Sequence, residues 1–291
     1  MMYCGVKMAM RRDIQMYCGE CFGTFLIVLF GTATVAVAVL FNAFSGLIQV
    51  ALVWGVGVTL AIYATRHFSC AHLNPAVSLA MVVAGRMNVR LLPGYWFSQV
   101  VGGILAGMTV LLIFHDSIYQ YEAINGIVRG ASESINTAML FGEYFPNPGN
   151  SGDPYIISLG TAMLVEAIGT FLLVTMIFLL TEGCNVGRPH DNVVPVFIGA
   201  TVTGIISIFA PLTQAGINPA RDFGPRLVAY FAGWDQIAIP GPGNGFFWVY
   251  ILAPLLGGTA SALCFRLFES NFVRNDIEPC VETNKPAEVV Y

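Results

Sequence analysis

Apolar residues gather along this chain in long blocks. Six are long enough to cross a bilayer as helices, which takes about 20 residues each. They cover approximately 19–41, 46–65, 91–114, 156–181, 193–212 and 246–267. Two more blocks, 74–85 and 218–230, reach half that length. Each short block opens on the same tripeptide, Asn74-Pro75-Ala76 and Asn218-Pro219-Ala220, 144 residues apart. A second pair shares nearly that offset: Glu20-Cys21-Phe22-Gly23-Thr24-Phe25-Leu26 and Glu166-Ala167-Ile168-Gly169-Thr170-Phe171-Leu172, 146 residues apart. Two landmarks at one offset describe a unit written twice. A short, interrupted apolar segment at matching places in both halves points to a transport site near the membrane midplane.

Composition agrees with the pattern. The 291 residues are 56% hydrophobic and 10% charged, against about 25% charged in a soluble domain. A net charge of −4 gives no reason to expect nucleic acid as a partner. The seven cysteines, Cys4, Cys18, Cys21, Cys70, Cys184, Cys264 and Cys280, show neither metal-ligand spacing nor a disulfide framework. No metal or cofactor is expected, and no acid–base pair or nucleophile cluster suggests an enzyme.

Positive charge sets the expected orientation. Lys7, Arg11 and Arg12 precede the first span, and Arg66, Arg86 and Arg90 lie between the second and third. Arg188 lies between the fourth and fifth, and Arg266 and Arg274 follow the sixth. The opposite side carries only Arg129. Both termini are therefore expected in the cytoplasm. The run from Cys21 to Phe41 is uncharged and longer than a signal-peptide core, so a retained first helix is expected. Three spans per half invert the second half relative to the first. The short segments then enter from opposite faces as re-entrant half-helices. The expected layout is a tail over 1–16 and a channel domain over 17–268. That domain divides into repeat one to 114, an extracellular loop over 115–155 and repeat two from 156. A disordered tail is expected over 269–291. Gly103-x-x-x-Gly107 and Gly257-Gly258 would let helices approach closely.

The chemistry comes from the pairing. Asn caps a helix and Pro suits its first position, so one Asn-Pro-Ala alone would mean only a helix start. Two half-helices meeting at mid-membrane put two positive dipole ends at one point, each worth roughly half a charge. Cations and protons are opposed there. The side-chain amides of Asn74 and Asn218 can donate to a passing oxygen while the backbone holds their carbonyls. Cys70, Ala71, His72 and Leu73, with Gln214, Ala215, Gly216 and Ile217, would present backbone carbonyls to a solute that donates. His72 either lines the path or holds its loop. A buried Arg221 is a functional candidate, fixed by backbone carbonyls or paired with Asp222. Glu20, Glu166 and Asp222 suit support of a nearby re-entrant loop.

These residues resemble the aquaporin, or major intrinsic protein, family over about 17–268. The strings His72-Leu73-Asn74-Pro75-Ala76-Val77 and Gly216-Ile217-Asn218-Pro219-Ala220-Arg221-Asp222-Phe223-Gly224-Pro225-Arg226 carry the resemblance. It implies an all-α polytopic membrane protein: a right-handed bundle of six transmembrane helices plus two re-entrant half-helices, built as an inverted repeat. It also implies a homotetramer in the plasma membrane, with one pore per subunit. Asp222, Arg226 and Pro254-Leu255 are similar to the glycerol-conducting branch. By spacing, the family's four-residue filter falls on Trp54, Ile206, Ala215 and Arg221. Ile206 and Ala215 depart from the glycerol-facilitator pattern and look more like plant nodulin-like members. The implied function is passive conduction of glycerol, other small neutral solutes and water, excluding ions and protons. A strict water channel, a channel specialised for urea, lactic acid or metalloid acids, and a coupled transporter are the alternatives.

Overall fold

The computed structural model describes residues 2–149, 157–183, 185 and 187–272. Its helices in order are α1 (Met2–Phe41), α2 (Leu47–Ser69), α3 (Pro75–Val83), α4 (Leu92–Asn125), α5 (Ile135–Ala138), α6 (Leu159–Thr181), α7 (Val194–Thr213), α8 (Pro219–Ala229), α9 (Asp235–Ala238) and α10 (Ala253–Phe272). A wider, π-helical stretch, Phe247–Leu252, leads into α10. Among the described residues there is no strand, and six helical spans have the length and apolarity to cross a membrane. Their outer faces carry large exposed apolar side chains, including Phe97, Leu112, Leu164 and Ile208. Such a surface suits lipid or a neighbouring subunit, not water.

The two halves pack by one plan. In the first, α1 packs on α2 and α4; in the second, α6 packs on α7 and α10. The central seam joins α2 to α7. The half-helices cross over: α8 packs on α4, and α3 packs on α10. Each half therefore completes the other, and neither core closes alone.

Glycine sets the spacing of these crossings. A Cβ added at Gly102 would lie 2.2 Å from the Cys21 carbonyl oxygen, and one at Gly257 would lie 2.1 Å from that of Ala167. Their neighbours repeat the symmetry against the half-helices. A Cβ at Gly103 would meet Ala220 O at 2.6 Å, and one at Gly258 would meet Ala76 O at 3.0 Å. Gly103, Gly257 and Gly258, read from sequence, thus serve backbone contact, as small residues do at membrane helix interfaces.

Three boundaries differ from the sequence expectation. The expected tail over 1–16 is helical from Met2, continuous with α1. The expected loop over 115–155 starts later, because α4 runs on to Asn125 and is closed by Gly126 at φ 65°. The segment beyond Gly126 is packed: Leu140, Phe141, Glu143 and Tyr144 are buried. At the other end, α10 reaches Phe272, and the rest of the expected disordered tail lies outside the described residues. The stretch between α8 and α10 also takes part in the core through Trp234 and Ala238.

Gly257→Val should force α6 and α10 apart, since a side chain there meets backbone. A loss of about 1–3 kcal/mol is expected, read as a lower unfolding temperature in detergent. A Gly204→Val control, where an added Cβ meets nothing, should leave it unchanged.

Candidate functional site

Each half-helix is entered by a loop of unusual backbone. Cys70, Ala71 and Leu73 have φ of 64°, 53° and 52°; Gln214, Ala215 and Ile217 have 62°, 57° and 43°. These six non-glycine residues sit in the left-handed region, at matching places in the two repeats. Such a conformation persists only when its surroundings over-determine it. Two buried carboxylates supply that hold. Glu20 accepts from the N–H of His72 at 2.9 Å and of Leu73 at 2.7 Å. Glu166 accepts from Gly216 N at 2.9 Å and Ile217 N at 2.6 Å. Gln99 donates to Glu20 at 2.7 Å, and Thr213 to Glu166 at 2.6 Å. Tyr95 and Tyr250 tie the ends of the preceding helices, donating to Ser69 O and Thr213 O.

The two tripeptides meet reciprocally. Asn74 and Asn218 cap α3 and α8 in extended conformation, with Pro75 and Pro219 at the first helical position. The Asn74 side-chain oxygen accepts from Ala76 N at 2.8 Å; that of Asn218 accepts from Ala220 N at 3.1 Å and Arg221 N at 3.3 Å. The amides then cross between halves. Asn74 Nδ2 donates to Ile217 O, and Asn218 Nδ2 to Leu73 O, both at 2.9 Å. Two carbonyls expected to face a solute are thus engaged in joining the repeats. Each amide group has a second N–H.

A cavity of about 440 Å³ runs past both asparagines, with Val58, Leu173 and Val202 on its apolar wall. His72 lines it and also contacts Ser78 Oγ at 3.3 Å and the Tyr95 ring at 5.2 Å. It therefore does both things considered for it. A second cavity opens beyond, lined by Glu143, Asn147 and Gln214 among others. The two cavities share Trp54, Ile206 and Arg221, and Ala215 lines the first. Three of the four residues picked by spacing, Trp54, Ile206 and Arg221, line both cavities at this junction. The Arg221 guanidinium stacks on the Trp54 ring, 4.0 Å from its centroid, and Trp54 itself rests on Gly31.

The partner of Arg221 differs from both expectations. It forms a buried ion pair with Glu143, not with Asp222. Asp222 is bound by Arg226 through Nε at 2.8 Å and Nη2 at 2.9 Å, and accepts from the Glu143 N–H at 2.6 Å. Glu143 and Gln99 were missed in the sequence. Glu143 is the one charged residue in the run Ala138–Tyr144, and Gln99 sits in the first third of α4. A polar group in an apolar block is a usable signal, though it does not name the partner.

With this geometry in view, comparison places the chain. The profile of the major intrinsic protein family matches residues 7–265, and the chain belongs to that family. It is 39% identical over 249 residues to the glycerol uptake facilitator protein of Pseudomonas aeruginosa, covering 85% of this chain and 86% of that one. It is 34% identical to the glycerol uptake facilitator protein of Escherichia coli strain K12 over 274 residues, 92% of this chain and 94% of that one. It is also 35% identical to the propanediol uptake facilitator of Citrobacter freundii, covering 85% and 89%. Among solved structures, the aquaglyceroporin from Plasmodium falciparum superposes with a TM-score of 0.75 at 24% identity, covering 90% of this chain and 99% of that one. That likeness concerns the fold.

Glu166→Ala should strand two buried N–H groups and the Thr213 hydroxyl. At about 1–3 kcal/mol per stranded group, the loss should exceed that of Glu166→Gln, which keeps one acceptor. Thermal unfolding of both purified variants checks the order.

Proposed function

We propose that this protein is a passive channel for glycerol and other small neutral solutes, with water, that opposes ions and protons. One observation carries the reading: two cavities approach from opposite ends and share Trp54, Ile206 and Arg221. A path with an apolar wall on one side and fixed polar groups on the other fits a polyol, whose carbon backbone and hydroxyls differ side to side. The names of the relatives, glycerol and propanediol uptake facilitators, support the same class of solute.

In this mechanism no bond is made or broken, and selection comes from hydrogen bonding along the file. The second N–H of Asn74 and of Asn218 donates to a passing hydroxyl or water. An oxygen that accepts from both is turned so that it cannot relay a proton to its neighbours. The two helix N-termini add a positive potential at that point, which opposes cations. Carbonyls of Cys70, Ala71, His72, Gln214 and Gly216 accept from solute on either side. Glu20, Glu166 and Asp222 hold the loops. We place both termini in the cytoplasm of a plasma-membrane homotetramer, on the arginine distribution and the exposed apolar faces.

The direct experiment is stopped-flow of proteoliposomes. Fast water flow and fast glycerol entry are expected, without saturation at accessible concentrations. Fast water flow with no glycerol entry would mean a strict water channel. Ala215→Phe should lower glycerol permeability about tenfold or more and water permeability less. Equal loss of both would remove Ala215 from the constriction.

A further inference from the structure

Glu143 has a place in the fold that a loop residue seldom has. It is 3% exposed, lines the second cavity, and its carboxylate meets the Arg221 guanidinium. Its backbone is held at both ends. The N–H donates to Asp222 Oδ1 at 2.6 Å, and the carbonyl accepts from Arg226 Nη2. Arg226 also donates to Ala238 O at 2.8 Å, so one fully buried guanidinium joins α8, the Glu143 loop and the end of α9. The next residue is tied as well, with Tyr144 N donating to the Gln214 side chain at 2.8 Å. Gly142 makes room: a Cβ there would lie 2.8 Å from the Arg226 guanidinium. Asp222, expected to support a loop, and Arg226, similar to the glycerol-conducting branch, both make their contacts to this loop.

Chemistry gives this placement a purpose. A guanidinium only donates and a carboxylate only accepts. Side by side they offer a donor and an acceptor to each passing hydroxyl. They also cancel in charge. Without the carboxylate, the unit charge of Arg221 would add to the positive ends of α3 and α8 in a narrow apolar passage. That sum would draw small anions.

We propose that Glu143 is a specificity-determining residue of the constriction: its carboxylate neutralises Arg221 and supplies the acceptor that a polyol hydroxyl needs there. The role rests on the channel reading above. It assigns anion exclusion to the Arg221–Glu143 pair and cation exclusion to the half-helix dipoles. Neither charge of the pair acts alone.

The test compares wild type, Glu143→Gln and the double variant Glu143→Gln/Arg221→Gln in proteoliposomes. Rates are normalised to reconstituted protein, with nitrate as the anion probe. Glu143→Gln should raise nitrate permeability about tenfold or more, as one uncompensated charge at contact range requires, and lower the ratio of glycerol to water permeability. The double variant, again without net charge, should return nitrate permeability to the wild-type level. Glu143→Ala carries the same expectations and serves where the glutamine variant does not assemble. Unchanged nitrate exclusion and an unchanged glycerol-to-water ratio in the single variants would overturn the proposal. So would a nitrate leak that persists in the double variant. A wild type that passes no glycerol would refute the channel reading instead, and the nitrate comparison would still judge Glu143, because it reads charge alone.

Discussion

Backbone that is not helical cannot face lipid, because its N–H and C=O groups would have no partner. This protein carries two such stretches, before α3 and before α8, and the rest of the fold is arranged to satisfy them. Glu20 and Glu166 meet the N–H groups from within the bundle. Asn74 and Asn218 bind a carbonyl of the opposite loop. Each loop is thus held by its own half and by the other. Close packing of α8 on α4 and α3 on α10 brings the two within reach, and paired glycines allow the approach. The strain of six left-handed residues persists because every one of these contacts fixes it.

The same economy explains the junction of the two cavities. Arg221 is placed by the first turn of α8, so its position depends on the Asn218 cap. Trp54 gives it a flat surface and Glu143 gives it a counter-charge. Asp222 and Arg226 do not reach the junction of the two cavities; they hold the loop that does. A buried ion pair of this kind is weak evidence for stability, since desolvation offsets its attraction. Its more natural use is electrostatic: two charges and two dipole ends, placed so that a neutral solute meets both donors and acceptors.

Much of this was legible in the sequence. Block length gave six spans, the duplicated Asn-Pro-Ala gave two half-helices, and the odd number of spans per half gave the inversion. The arrangement has its signal in local spacing, because caps and half-helices are short-range features. The spacing that picked Trp54, Ile206 and Arg221 picked residues that line both cavities. What was hidden involves long-range partners without a motif. Glu143 lies 78 positions from Arg221, in a segment that composition marked as an external loop. The extension of α4 past residue 114 was missed because polar residues can continue a helix beyond the membrane surface. The tight turns between α8 and α10 likewise take their shape from packing around Trp234.

The central claim is passage of neutral solute with exclusion of protons at one midpoint. It is tested most directly by measuring both fluxes in the same proteoliposomes, with a proton gradient imposed and a pH dye enclosed. The account predicts that glycerol equilibrates quickly while the gradient persists as long as in protein-free vesicles. Glycerol entry should also be the same with or without the gradient. A gradient that collapses with glycerol entry, or entry that requires the gradient, would contradict it.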